Sequence, residues 1–136
     1  MKTSRATRGV FIIHSNQDQE LVRDIARRLR DAGLTPVLDF ADHLAATEWK
    51  NVLRERLRDA DAVLILVTPA SLSSSWTMAE LGMAEGFDRV ILPVVAGLKP
   101  RDLPAPLRSY HVVPFDQLDA AISELAERLA SASTDD

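Results

Sequence analysis

Residues 76–84 read Trp-Thr-Met-Ala-Glu-Leu-Gly-Met-Ala, and Glu80 is the one charged residue among them. Wound as a helix, this stretch is apolar nearly all round, as a helix packed inside a protein is. A carboxylate buried there costs free energy unless a partner or a ligand compensates it. Trp76 stands four residues earlier and shares its face. Two accounts of Glu80 stay open: an exposed or ion-paired helix residue, and a carboxylate held in a cleft to do chemistry. Trp76 is open in the same way, between a core aromatic and one that packs on a ligand. The other polar residues of interest each have a structural account too. Asp39 follows an apolar run and suits a turn, Asp18 suits the positive end of a helix dipole, and Ser71, Ser73, Ser74 and Ser75 suit a turn and an N-cap.

What is missing narrows the chemistry. The chain has no cysteine, so disulfides, thiolate metal sites and Cys nucleophiles are excluded. Its glycines (Gly9, Gly33, Gly82, Gly86, Gly97) form neither G-x-G-x-x-G nor a P-loop. His14, His43 and His111 lack the i,i+4 spacing of helix-borne metal ligands, so no metal site is expected. No G-x-S-x-G elbow presents a nucleophilic serine. The net charge of −4 argues against a nucleic-acid partner.

The elements that must position these residues follow from short apolar runs alternating with amphipathic stretches. Residues 10–13 (Val-Phe-Ile-Ile) form a first strand. Leu21, Val22, Ile25, Ala26 and Leu29 mark the apolar face of a first helix, with Gly33 at its C-terminal end. A second strand over 36–38 ends at Asp39. Thr47 is placed to N-cap a second helix carrying Trp49, Val52, Leu53 and Leu57. Residues 62–67 (Ala-Val-Leu-Ile-Leu-Val) are the clearest strand, stopped by Thr68-Pro69. A serine turn then leads into the third helix, 76–85, whose Ala79, Gly82, Met83 and Gly86 suit close packing onto a sheet. Strand four covers 90–95, where Pro93 disfavours central pairing. A fifth strand lies near 112–115, and Asp116 caps a last helix through Leu129.

This order predicts an α/β, flavodoxin-like five-stranded parallel sheet, order 2-1-3-4-5, with helices on both faces. The expected organisation is a flexible basic N-terminus (1–8), one domain (9–130) and a flexible tail or cut linker (131–136). No apolar run nears the ~20 residues of a membrane span, and 10–13 is too short for a signal peptide, so no membrane partner and a cytoplasmic location are expected. Ligands of such sheets bind beyond the carboxyl ends of the strands, where strand order reverses. That cleft lies between strands one and three, lined by 14–18 and 68–75, with Asp39 at its margin and the start of the third helix above it.

Placed in this order, the residues resemble a bacterial TIR (Toll/interleukin-1 receptor) domain over nearly the whole chain. Val10-Phe11-Ile12-Ile13-His14-Ser15-Asn16-Gln17-Asp18 is similar to the family's opening strand motif, with Asp18 at its acidic position. Asp39 matches the acid that ends the second strand, Trp49 the Trp of the second helix, and Pro93 a Pro of the fourth strand. Ser73-Ser74-Ser75-Trp76 with Glu80 matches the serine-rich segment and W-x-x-x-E of the third helix. Ile13 and His14 depart from the family's Ser and aromatic. Ala45-Ala46 stand where a Gly is usual in the BB loop, and since Ala disfavours positive φ, that loop takes another conformation.

The resemblance implies cleavage of NAD+ at its nicotinamide–ribose bond by a glycohydrolase or a cyclase, with water attack giving ADP-ribose and attack by a group of the same molecule a cyclic product, with Glu80 as the catalytic glutamate and NAD+ as substrate, not as a held cofactor. It places Trp76, Asp39, Phe40, Ser15, Asn16, His14 and Ser75 around the substrate. It also implies association with other TIR domains and activation on self-association, in a defence or effector role. A non-catalytic adaptor is the alternative, for which Leu44 of the BB loop would matter and Glu80 would not. A response regulator lacks its acid pair here, because His14-Ser15 end strand one. A deoxyribosyltransferase-like enzyme, which also uses a Glu on similar architecture, is a further rival.

Overall fold

Phe11 and Ile13 point to one side of their strand and Val10 and Ile12 to the other, so each strand here must be covered twice. A computed structural model of the chain describes residues 8–38, 46–87 and 89–134. Its strands are β1 (Arg8–Ile13), β2 (Leu34–Val37), β3 (Ala62–Val67), β4 (Val90–Val95) and β5 (Val113–Pro114). All pair in parallel in the order β2-β1-β3-β4-β5, as the sequence pattern requires. The central ladder sets Phe11 beside Val63 and Ile13 beside Ile65.

The helices are α1 (Gln19–Asp31), α2 (Ala46–Asp59), the short α3 (Pro69–Leu72), α4 (Ser75–Gly86), the short α5 (Ala105–Arg108) and α6 (Leu118–Thr134). Val10, Ile12, Leu64 and Leu66 form one core with Ile25 and Leu29 of α1 and Ile122 and Leu125 of α6. Phe11, Ile13, Val63 and Ile65 form the other with Leu53 and Leu57 of α2 and Leu81 and Ala84 of α4. Gly33, at φ +86°, follows α1 in the left-handed conformation that ends a helix and that glycine adopts without strain.

Several local expectations are corrected. β2 starts at Leu34 rather than residue 36. Thr47 lies inside α2 and is not its cap. The serine turn is partly helical: Thr68, not a serine, caps α3, and Ser71 belongs to that helix. Asp116 sits in a 3-10 turn (Phe115–Gln117) ahead of α6, which continues to Thr134 where composition suggests a frayed tail. Pro93 pairs in register with Ile65, yet β5 joins β4 only at Val94 and Val95, so the proline lies where β4 lacks its second neighbour. The small residues of α4 also face the other way. Ala79, Gly82 and Gly86 are exposed, and a Cβ added at Gly82 or Gly86 meets nothing within 4 Å. α4 therefore buries one face rather than its whole circumference.

Candidate functional site

α4 carries the central feature. Its buried residues Thr77, Glu80, Leu81 and Ala84 recur at i, i+3, i+4 and i+7, one helical face. Leu81 and Ala84 anchor that face on Phe11 and Ile13 of β1. The helix begins just after β3 ends and returns toward the start of β4, so Thr77 and Glu80 lie on its half nearer the carboxyl ends of the strands. Glu80 is 1% exposed and keeps a polar interaction there.

The loop after β1 supplies His14 and Ser15. Ser15 is buried, and its Oγ accepts from the Gln17 backbone N–H at 3.2 Å, which caps a 3-10 turn (Asn16–Asp18). His14 Nδ1 lies 2.9 Å from the Ser15 carbonyl oxygen. A carbonyl only accepts, so this contact keeps the proton on Nδ1 and leaves Nε2 of the neutral ring as an acceptor. Nε2 is buried with no hydrogen-bond partner among the described residues. Asn16 is exposed.

Asp18 does something other than favour a helix dipole. Its side chain makes no cap bond to α1 and instead accepts from Thr68 Oγ1 at 2.6 Å, across fifty residues of chain. Thr68 Oγ1 in turn accepts from the Ser71 N–H at 3.1 Å, and the Thr68 N–H donates to Ser71 Oγ at 2.8 Å. This capping box fixes α3, and the Ser74 N–H donates to the Ser71 carbonyl at 3.0 Å just before α4 starts. Ser74 Oγ then accepts from the Thr77 N–H as the cap of α4. At the far end of α4, Tyr110 donates to Glu85 Oε2 at 2.5 Å. Burial, followed by that hydrogen bond, pushes the Tyr110 phenol up to about 12.

The structure thus sets His14 and Ser15 at the end of β1, and Glu80 on the helix resting against that strand. Ser75 and Trp76 are in α4 by backbone, with side chains outside the described residues, as is the side chain of Trp49. Asp39, Phe40, Leu44 and Ala45 lie outside the described residues. Thr68 and Thr77 were not singled out from sequence. The first was signalled by a Thr-Pro pair at a strand end, which is the N-cap and N1 pattern of a helix. The second was signalled only by standing three residues before Glu80. Thr77 Oγ1 is buried with no hydrogen-bond partner among the described residues. Among the described residues, no group of three or more His, Asp or Glu side chains could hold a metal ion. No helix described is long and apolar enough to cross a membrane.

A family model described as "TIR domain" matches residues 10–130. Among solved structures, the chain is similar to a TIR-STING receptor from C. gigas, at 28% identity and a TM-score of 0.66. That match covers 84% of this chain and 40% of the receptor, so the chain spans well under half of that relative. It is also similar to the TIR domain of the Toll-related receptor TRR-2 from Hydra magnipapillata (13% identity, TM-score 0.66, covering 93% of this chain and 98% of that one). A CMP N-glycosidase from Clostridium botulinum shares the fold at 15% identity and a TM-score of 0.63, over 87% of this chain and 98% of that one. Comparison with curated proteins found no match.

Proposed function

The chain belongs to the TIR domain family, and from that premise we propose that it cleaves NAD+ at the nicotinamide–ribose bond. One observation carries the reading: a carboxylate, Glu80, buried on the helix that starts at the carboxyl edge of β3 and rests on β1, where the strand order reverses. The chemistry asks for little more. The C1′–N1 bond breaks, its electron pair leaves on nicotinamide as a neutral pyridine, and no general acid is required. Positive charge develops on the ribose, and a fixed carboxylate in a dry site stabilises it. Water then adds to C1′ and loses a proton, giving ADP-ribose, or a nucleophilic group of the same molecule adds there and gives a cyclic product. His14 Nε2, an acceptor without a partner among the described residues, is suited to a substrate donor.

Glu80 is sealed from solvent in the single chain, so what covers it must move before NAD+ enters. We assign that opening to self-association with other TIR domains. Nicotinamide release from NAD+, followed by chromatography over a range of protein concentrations, tests both statements. The wild type should release nicotinamide with a specific activity that rises with concentration, and Glu80→Ala should release none. Equal release by wild type and variant, with the protein assembled, would sink the enzyme reading and leave the adaptor.

A further inference from the structure

Thr77 is buried on the same helical face as Glu80, three residues before it, so their Cβ atoms lie about 5–6 Å apart. Thr77 is the third residue of α4, so only the carbonyls of the Ser74 cap and of Ser73 stand three and four residues behind its hydroxyl. Thr77 Oγ1 has no such partner among the described residues, although it is shielded from water. Its backbone N–H is accounted for, since it donates to the Ser74 cap. An alanine or valine would fill the position without leaving a buried polar group unmet. The buried hydroxyl is therefore unmet by the described residues, and it stands about one helical turn from the buried carboxylate of Glu80.

We infer that the Thr77 hydroxyl is a specificity-determining group that, beside Glu80, recognises a hydroxyl of the ribose whose N-glycosidic bond is broken. This rests on the NAD+ reading above and extends it to a residue and to a part of the substrate. The chemistry of the pair decides the ligand class. A carboxylate only accepts, while a threonine hydroxyl both donates and accepts. Two adjacent groups of that kind match a vicinal diol, in which one hydroxyl donates to Glu80 and its neighbour bonds to Thr77. A phosphate, having only acceptors to offer, is repelled by the carboxylate. A carboxamide or base edge also offers a donor beside an acceptor, and that case predicts equal loss on all three substrates of the test below. Because a site built to bond a hydroxyl leaves its own polar group unmet when that hydroxyl is missing, discrimination against a deoxy substrate follows.

The test uses the full chain, assembled, with NAD+ and two analogues lacking the 2′- or the 3′-hydroxyl of the nicotinamide ribose. Thr77→Val removes the hydroxyl and keeps the shape, and Thr77→Ser keeps the hydroxyl. Relative to wild type, Thr77→Val should lower kcat/KM for NAD+ by on the order of 10- to 100-fold. It should leave kcat/KM unchanged for whichever analogue lacks the contacted hydroxyl, and Thr77→Ser should stay close to wild type on all three. Intrinsic reactivity differences among the substrates cancel when each variant is compared with wild type on the same substrate. In thermal melts without substrate, Thr77→Val should be no less stable than wild type, which separates lost recognition from lost fold. A Thr77→Val variant that matches wild type on NAD+, or that loses equally on all three substrates, overturns the assignment while the NAD+ reading stands. A wild type that releases no nicotinamide from NAD+ overturns both.

Discussion

The two faces of one sheet are built differently. On the α1/α6 face the core cluster is built from aliphatic side chains of α1, α6 and the sheet, and charge stays at the rim: Arg28 bridges Asp24 at 3.1 Å and Asp119 at 3.2 Å in solvent-accessible pairs. On the α2/α4 face the same sheet packs against a helix whose buried stripe contains Thr77 and Glu80. The first face follows the rule that cores are apolar and closely packed. The second departs from it where the strand order reverses, which is where a ligand site on this architecture belongs. Ser15, Thr68 and Ser71 are buried too, but each of their hydroxyls is hydrogen-bonded, whereas Thr77 Oγ1 has no partner among the described residues, and a concession of that kind is what functional sites make.

The sharpest way to break this contrast is to compare one residue from each face. Glu80→Gln should lower the rate of nicotinamide release by on the order of 10³-fold, with a melting temperature close to wild type, since the amide keeps the shape and an acceptor oxygen. Leu29→Ala, from the α1 core, should do the reverse. It should cost about 3 kcal/mol of stability in denaturant unfolding, with the rate per folded molecule unchanged. If Glu80→Gln instead unfolds the domain without touching the rate, the second face is merely another core. Next in size, Thr68→Val removes the acceptor that caps α3 and the donor to Asp18. About 2 kcal/mol should be lost, and hydrogen exchange should quicken in residues 69–77 before it does in β3.

Gly82→Ala should move stability the other way. The residue is exposed within α4 and a Cβ there meets nothing within 4 Å. About 1 kcal/mol should be gained from helix propensity alone. A loss instead would mean that this surface is covered by another molecule in solution, and melts at rising dilution would then show the difference disappear.

Legibility from sequence divides along the same contrast. β3 was predicted with its observed bounds, 62–67, because an unbroken run of β-branched and leucine residues allows few other readings. The strand order followed from the alternation of elements, and Glu80 stood out because a lone charge on an apolar helix is rare. Details set by side-chain hydrogen bonds were not legible. Thr68 read as the end of a strand because its role depends on Asp18, fifty residues away, and on Ser71 turning back to it. Thr47 read as a cap because a threonine ahead of an amphipathic run fits that role, and only the backbone shows that α2 has already begun at Ala46. The small residues of α4 suit packing on the sheet by size, but size alone does not say which face of a helix they occupy. Thr77 is illegible for a related reason: a threonine in a helix is ordinary in sequence, and only the structure shows its hydroxyl buried without a partner among the described residues.

The smallest expected effects lie in the pH dependence, and here too the faces differ. Asp24 on α1 is held below its ordinary pKa of 3.8, chiefly by the hydrogen bond from Arg28. A carboxyl depressed on folding contributes stability that is complete above its unfolded value near 4 and is lost as pH falls below it. Tyr110, which fastens the end of α4 through Glu85, is raised from 10.0 to about 12 by burial and then by that bond. A group raised on folding contributes below its unfolded value and loses that contribution as pH climbs from about 10 toward 12. Melting temperature followed against pH should therefore respond at opposite ends. Asp24→Asn should flatten the acid limb and leave the alkaline one, whereas Tyr110→Phe should flatten the alkaline limb and leave the acid one. If Tyr110→Phe melts like wild type up to pH 12, α4 is held by its N-terminal bracket of Thr68, Ser71 and Ser74 alone. The position of Glu80 would then depend on one anchored end rather than two.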